Sequence, residues 1–166
     1  MKPIRLLVLD VDGVLTDGRL YYGPRGEQLK CFHVRDGHGI KALRAAGIDV
    51  AVITGRRSGA VARRCRELGI AHVVQGADDK LAAFRRLLAE LSLTPAECAC
   101  IGDDVPDVPL LRAAGDSYAV ADAHPAARAA ADRATRASGG QGAVREVCDR
   151  LIAETPARTR RTGRSS

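Results

Sequence analysis

The chain has 166 residues, 46% hydrophobic and 28% charged, with a formal net charge of +6. That length holds one domain with one real core. The core must be built from Leu, Val, Ile and Ala, because there are only two Phe, three Tyr and no Trp. No apolar run approaches the roughly 18 residues a membrane-crossing helix needs, and the N-terminus lacks the basic, apolar, small-residue order of a secretion signal.

The first apolar run, Ile4-Arg5-Leu6-Leu7-Val8-Leu9, reads as a buried strand and leads straight into Asp10-Val11-Asp12-Gly13. On extended backbone, residues i and i+2 point the same way, so Asp10 and Asp12 face one point at the strand's carboxyl end. Alone, such a pair is equally consistent with a helix cap or an acidic loop. A calcium loop counted from Asp10 fails, because Val14 and Leu15 stand where an oxygen ligand and a glycine are required.

Arg19–Tyr22 and Gln28–Val34 flank the turn Gly23-Pro24-Arg25-Gly26-Glu27 and predict a β-hairpin projecting from the sheet. Asp36 is expected to cap a helix carrying Ile40, Leu43 and Ala46, closed by Gly47. Strands follow at Ile48–Ile53, His72–Val74, Cys98–Ile101 and around Tyr118–Val120. Between them, Ser58 opens a helix closed by Gly69, and Asp78 or Asp79 opens one with Leu81, Phe84, Leu87, Leu88 and Leu91 on one face. This alternation predicts an α/β chain with a Rossmann-like parallel sheet flanked by helices.

Five cysteines (Cys31, Cys65, Cys98, Cys100, Cys148) form neither an even disulfide framework nor a zinc spacing, so reduced thiols and a cytoplasmic location are expected. The last stretch, residues 155–166, holds four Arg and no acid, and it lacks hydrophobic periodicity. It is expected to be a disordered basic tail after a domain spanning residues 1–154. The rest of the chain is therefore only mildly basic, and neither a nucleic-acid nor a membrane partner is expected.

Each strand predicted to end at one rim ends in polar groups. The first gives Asp10 and Asp12, the second Thr54-Gly55-Arg56, and the fourth Gly102-Asp103-Asp104 with Asp107 three residues on. The helix after the third strand opens with Lys80. A carboxylate attacks an anionic phosphoester only after the charges are neutralised. Mg²⁺ held by carboxylates, with Lys80 beside the nucleophile, would do this, and the Thr54 hydroxyl can bond a phosphate oxygen.

With Asp10-Val11-Asp12-Gly13, Thr54, Lys80 and Gly102-Asp103-Asp104 in this order, the chain resembles the haloacid dehalogenase-like superfamily of phosphohydrolases. The resemblance implies Asp10 as nucleophile and Asp12 as acid, then base. It implies Thr54 and Lys80 as further catalytic residues. Mg²⁺ would be bound by Asp10, the Asp12 carbonyl and Asp103, with Asp104 and Asp107 in support. The short segments between the signatures leave no room for a cap domain.

Further motifs are Asp12-Gly13-Val14-Leu15-Thr16-Asp17-Gly18, Phe32-His33-Val34-Arg35-Asp36-Gly37, Val120-Ala121-Asp122-Ala123-His124-Pro125 and Gly139–Glu146. These are similar to the capless phosphatases that act on 3-deoxy-D-manno-octulosonate 8-phosphate in lipopolysaccharide precursor synthesis. That likeness implies a small sugar-acid phosphate as substrate, touching Asp12, His33, Val34, Arg35, Asp36, Gly37, Lys41, Arg56, Arg64 and Lys80. It also implies a homotetramer in which the hairpin and C-terminal segment help cover a neighbour's site. The alternatives are a phosphatase for a nine-carbon sialic-acid-like sugar phosphate, an inactive scaffold, or a phosphatase for nucleic-acid ends.

Overall fold

A computed structural model of the chain describes residues 3–155. Its first strand, β1 (Leu6–Leu9), is buried along its whole length. A central parallel strand is covered on both faces, which is why this run does not alternate apolar and polar residues. The chain then leaves the sheet as a hairpin, β2 (Tyr21–Gly23) and β3 (Gly26–Leu29), which forms its own two-stranded antiparallel sheet. It returns through helix α1 (Val34–Ala45), β4 (Asp49–Thr54), α2 (Gly59–Leu68), β5 (His72–Gln75) and α3 (Lys80–Leu91). After β6 (Cys98–Gly102) come α4 (Val108–Ala113), β7 (Asp116–Ala119), α5 (Pro125–Ala130), β8 (Arg133–Ala134) and α6 (Ala143–Glu154). The predicted basic tail, from residue 156 on, lies outside the described residues.

The main sheet runs β5-β4-β1-β6-β7-β8, and every pairing in it is parallel. The chain winds outward from β1 on one side, then crosses back to β6 on the other. The switch in direction therefore falls beside β1, where ligands bind at the carboxyl ends of such sheets. Register makes the rim concrete: Leu9 pairs with Val52 on one side and with Ile101 on the other. Asp10, Thr54 and Asp103, one or two residues further along their chains, consequently emerge at the same edge.

Three predicted details differ. The second hairpin strand ends at Leu29 instead of Val34, because Val34 opens α1. That helix is capped by His33, whose Nδ1 accepts from the Arg35 amide at 3.1 Å, and not by Asp36. Asp36 sits in the first turn of α1, buried, and its Oδ1 accepts from the Arg145 amide at 2.9 Å. The N-cap of α6 is Gly142, which has no side chain to satisfy the first amides, so Asp36 supplies that acceptor from the neighbouring helix. The strand expected around Tyr118–Val120 begins at Asp116. Both early polar residues are buried because they are partnered: Asp116 by Arg133 at 2.8 Å, and Ser117 by Asp132, also at 2.8 Å.

The other predicted helix starts stand. Ser58 precedes α2, Gly69 closes it in the left-handed region, and the Asp79 carboxylate accepts from the Ala82 amide at 2.9 Å to cap α3. Between Asp12 and Thr54 the chain builds only the hairpin and α1; between Thr54 and Lys80 it builds only α2 and β5. Neither interval contains a cap domain.

Candidate active site

The strand ends open into a cavity of about 420 Å³ lined by Asp10, Asp12, Thr54, Gly55, Arg56, Ala77, Asp78, Lys80, Asp103, Asp104, Pro106 and Asp107. Lys80, the first residue of α3, is almost fully buried and reaches two carboxylates. Its Nζ donates to Asp10 Oδ1 at 2.7 Å and to Asp107 Oδ1 at 2.6 Å. The other oxygen of Asp107 accepts from the amides of Asp103 and Asp104, at 3.0 and 3.2 Å. Asp107 thus ties Lys80 to the loop after β6.

Gly13 lets that loop come close. Its φ is +90°, which favours glycine, and a Cβ placed on it would fall 2.0 Å from Asp103 Oδ2. Gly139 approaches from the other side, where a Cβ would overlap the Gly13 carbonyl oxygen.

The charge balance of this cluster is uneven. One oxygen each from Asp10, Asp103 and Asp107 lie within 4.8 Å of one another, against a single ammonium. Burial, reinforced by Asp107, pushes the Asp10 carboxyl up to about 6 despite Lys80. Burial together with Asp10 and Asp107 pushes Asp103 up to about 8. Burial opposes the charge on Lys80, but Asp10 and Asp107 outweigh it and hold the ammonium above its usual range. Two acids pressed together hold a proton unless a cation takes its place. An all-oxygen donor set with surplus negative charge fits a hard divalent ion.

The residues expected to contact substrate divide into two groups. Asp12, Arg56 and Lys80 line the cavity. His33, Val34, Arg35, Asp36, Gly37, Lys41 and Arg64 do not; they gather around the N-terminal half of α1. There Arg64 lies over the Phe32 ring, 5.9 Å from its centre, and against Gly37, where a Cβ would fall 2.3 Å from its Nη2. Val34, Arg35 and Lys41 are exposed, whereas Asp36 and Gly37 are buried. Thr54 is buried, and its Oγ1 accepts from the Arg56 amide at 3.4 Å.

Sequence reasoning did not single out Tyr22, Glu27, Lys30 and Ser58. Tyr22 and Glu27 bond Arg56, Lys30 bonds Asp12, and Ser58 bonds Glu27, in one polar network between the hairpin and the rim. For Tyr22, Glu27 and Lys30 the only signal in the sequence is a cluster of polar side chains in a hairpin, an ordinary pattern for an exposed turn; Ser58 reads only as the start of α2.

Fold and site define the class, a haloacid dehalogenase-like hydrolase, and residues 34–115 match that family. The chain is 54% identical over 151 residues to the 3-deoxy-D-manno-octulosonate 8-phosphate phosphatase KdsC of Escherichia coli K12, covering 91% of this chain and 80% of that protein. The crystal structure of the Moraxella catarrhalis phosphatase of the same name, in complex with magnesium, phosphate and KDO, superimposes with a TM-score of 0.89. It is 46% identical, with 92% of this chain and 87% of that chain covered. The cobalt-bound form of the Haemophilus influenzae phosphatase gives a TM-score of 0.89 at 44% identity, with 91% and 88% covered. The chain belongs to this family of 3-deoxy-D-manno-octulosonate 8-phosphate phosphatases within the haloacid dehalogenase-like hydrolases.

Proposed function

We propose that the chain hydrolyses 3-deoxy-D-manno-octulosonate 8-phosphate to the free sugar acid and phosphate, in the cytoplasm, as a step of lipopolysaccharide precursor synthesis. The observation that carries the chemistry is Lys80 Nζ at 2.7 Å from Asp10 Oδ1, at the rim where Asp103 converges. A buried carboxylate held beside an ammonium is oriented for attack, and the ammonium offsets the negative charge that gathers on the phosphoryl group.

Asp10 forms a bond to phosphorus as the bond to the sugar oxygen breaks, and Asp12 protonates the departing alkoxide. Asp12 then takes a proton from the water that cleaves the aspartyl-phosphate. The Thr54 hydroxyl and Lys80 hold phosphoryl oxygens. Mg²⁺, bound by the Asp10 and Asp103 carboxylates and the Asp12 main-chain carbonyl, would supply the remaining positive charge; Asp104 and Asp107 support that arrangement. Magnesium is favoured by the oxygen-only donors and by its presence in the Moraxella relative.

The second group of expected contacts suits an assembly. Val34, Arg35 and Lys41 are exposed on α1 and do not line their own cavity, and in an assembly they would serve a neighbouring protomer. Leu20, Tyr21, Tyr22 and Leu29 of the hairpin are exposed apolar or aromatic side chains that would join subunits of a homotetramer. A sugar acid with an anion at each end would then meet Lys80 and the cation at one end and arginines at the other.

The deciding experiment compares kcat/KM for the eight-carbon sugar phosphate, a nine-carbon sialic-acid-like phosphate, p-nitrophenyl phosphate and a 3′-phosphorylated oligonucleotide. The eight-carbon substrate is expected to lead, and preference for any other overturns the substrate assignment. Asp10→Asn is expected to lower turnover by more than about 10³-fold in a folded protein. Substantial Mg²⁺-dependent activity in that variant overturns the nucleophile.

A further inference from the structure

The hairpin reaches the acid–base residue directly. Lys30, the residue after β3, has a side chain only 1% exposed, and its Nζ lies 2.5 Å from Asp12 Oδ1 and 3.1 Å from Glu27 Oε2. A lysine is buried to that extent only when its charge is matched, and here two carboxylates match it.

Glu27 is itself held from two sides. Its Oε1 accepts from the Ser58 hydroxyl at 2.8 Å, and its Oε2 accepts from Arg56 Nη2 at 3.2 Å. Tyr22 Oη accepts from the same arginine nitrogen at 3.0 Å. Three donors outweigh burial and keep the Glu27 carboxyl below its usual range, so it stays an anion for Lys30 to bind. The contact is therefore a chain of fixed groups: the loop after β4 holds Glu27, Glu27 holds Lys30, and Lys30 holds one oxygen of Asp12. The other oxygen, Oδ2, has Arg56 Nε at 3.9 Å, and Arg56 lines the cavity.

We propose that Lys30, seated by Glu27, is a positioning residue that anchors Asp12 Oδ1 and so presents Oδ2 to the substrate's leaving oxygen. The inference rests on the reading of Asp12 as acid and base. In the first step the phosphorus–oxygen bond to the sugar breaks, the bond to Asp10 forms, and the electron pair left on the sugar oxygen takes the proton carried by Oδ2. A carboxyl free to rotate would present the wrong oxygen for part of the time, and proton transfer demands hydrogen-bond geometry. The need for that proton depends on the leaving group. A sugar alkoxide is strongly basic and requires it, whereas a nitrophenolate leaves almost without help.

This dependence separates positioning from mere tethering of the hairpin. Lys30→Gln, Lys30→Arg and Glu27→Gln are compared with the parent enzyme by kcat/KM on the eight-carbon sugar phosphate and on p-nitrophenyl phosphate. That ratio reports the first phosphoryl transfer and is not affected by the rate of dephosphorylation. Lys30→Gln is expected to lower kcat/KM on the sugar phosphate about 10²-fold and to lower the sugar-to-aryl ratio at least about tenfold. Lys30→Arg should restore part of that ratio, and Glu27→Gln should lower it in the same direction. Equal losses on both substrates, or no loss on either, overturn the proposal.

If Lys30→Gln does not fold, as judged by circular dichroism, Lys30→Arg and Glu27→Gln carry the same comparison. Asp12→Asn provides the control. If it shows the selective loss and Lys30→Gln does not, the positioning role alone fails. If Asp12→Asn lowers both substrates equally, the acid–base reading fails and takes this inference with it.

Discussion

Asp10 and Asp103 sit where burial and like charge both penalise their anions, and the cost is visible in their elevated protonation, about 6 for Asp10 and about 8 for Asp103. A cation must displace those protons to bind, so metal affinity should rise with pH. The sign follows from the folded state. Below about 6 both carboxyls retain protons, and above about 8 both are free to ligate. The increase in Tm produced by one fixed Mg²⁺ concentration is therefore expected to be small near pH 5 and to grow through pH 8.5. Where that concentration reaches 100 times Kd, the added stability should approach about 2.7 kcal/mol. Thermal unfolding with and without Mg²⁺ across that range checks it, and a shift independent of pH would remove these two carboxyls as ligands. At this same scale, the residue types were legible in sequence. Two acids after a strand, a lysine opening a helix and a Gly-Asp-Asp turn each carry recognisable chemistry. That Lys80 bridges Asp10 and Asp107 was not legible, because 70 and 27 residues separate those pairs.

At the scale of elements, the strands β1, β4 and β6 were legible because central parallel strands are unbroken apolar runs. The start of α1 was misplaced because His33, Asp36 and their neighbours offer more than one capping side chain within four residues. Only packing against α6 shows that Asp36 serves the other helix. Asp36→Ala removes the acceptor for the first amides of α6 and is expected to cost about 1–2 kcal/mol. Urea unfolding measures it. A variant as stable as the parent would mean that the α6 terminus is satisfied without this carboxylate. The elements α4, α5 and β8 lacked clear sequence signals, whereas α6 carries Val144, Val147, Cys148 and Leu151 at helical spacing and was missed. The first two are six residues long and β8 only two, too short to show a period.

At the scale of the whole molecule, the proposed self-association rests on the exposed hairpin residues Leu20, Tyr21, Tyr22 and Leu29. Paired Leu20→Asp and Leu29→Asp substitutions introduce charge there without touching the core. They are expected to reduce the solution mass of the proposed tetramer in light scattering and to lower kcat/KM on the sugar phosphate. A tetramer that survives both changes would exclude this face as the subunit contact. Among the described residues no helix is long and apolar enough to cross a membrane.

The order of motifs along the chain was sufficient to determine the α/β alternation and the family, because each depends on local pattern or residue chemistry. The tertiary structure alone decided which oxygens meet. Strand register brings Asp10, Thr54 and Asp103 to one rim, and the hairpin folds back to place Lys30 on Asp12. Such contacts join residues far apart in sequence, and no local period records them.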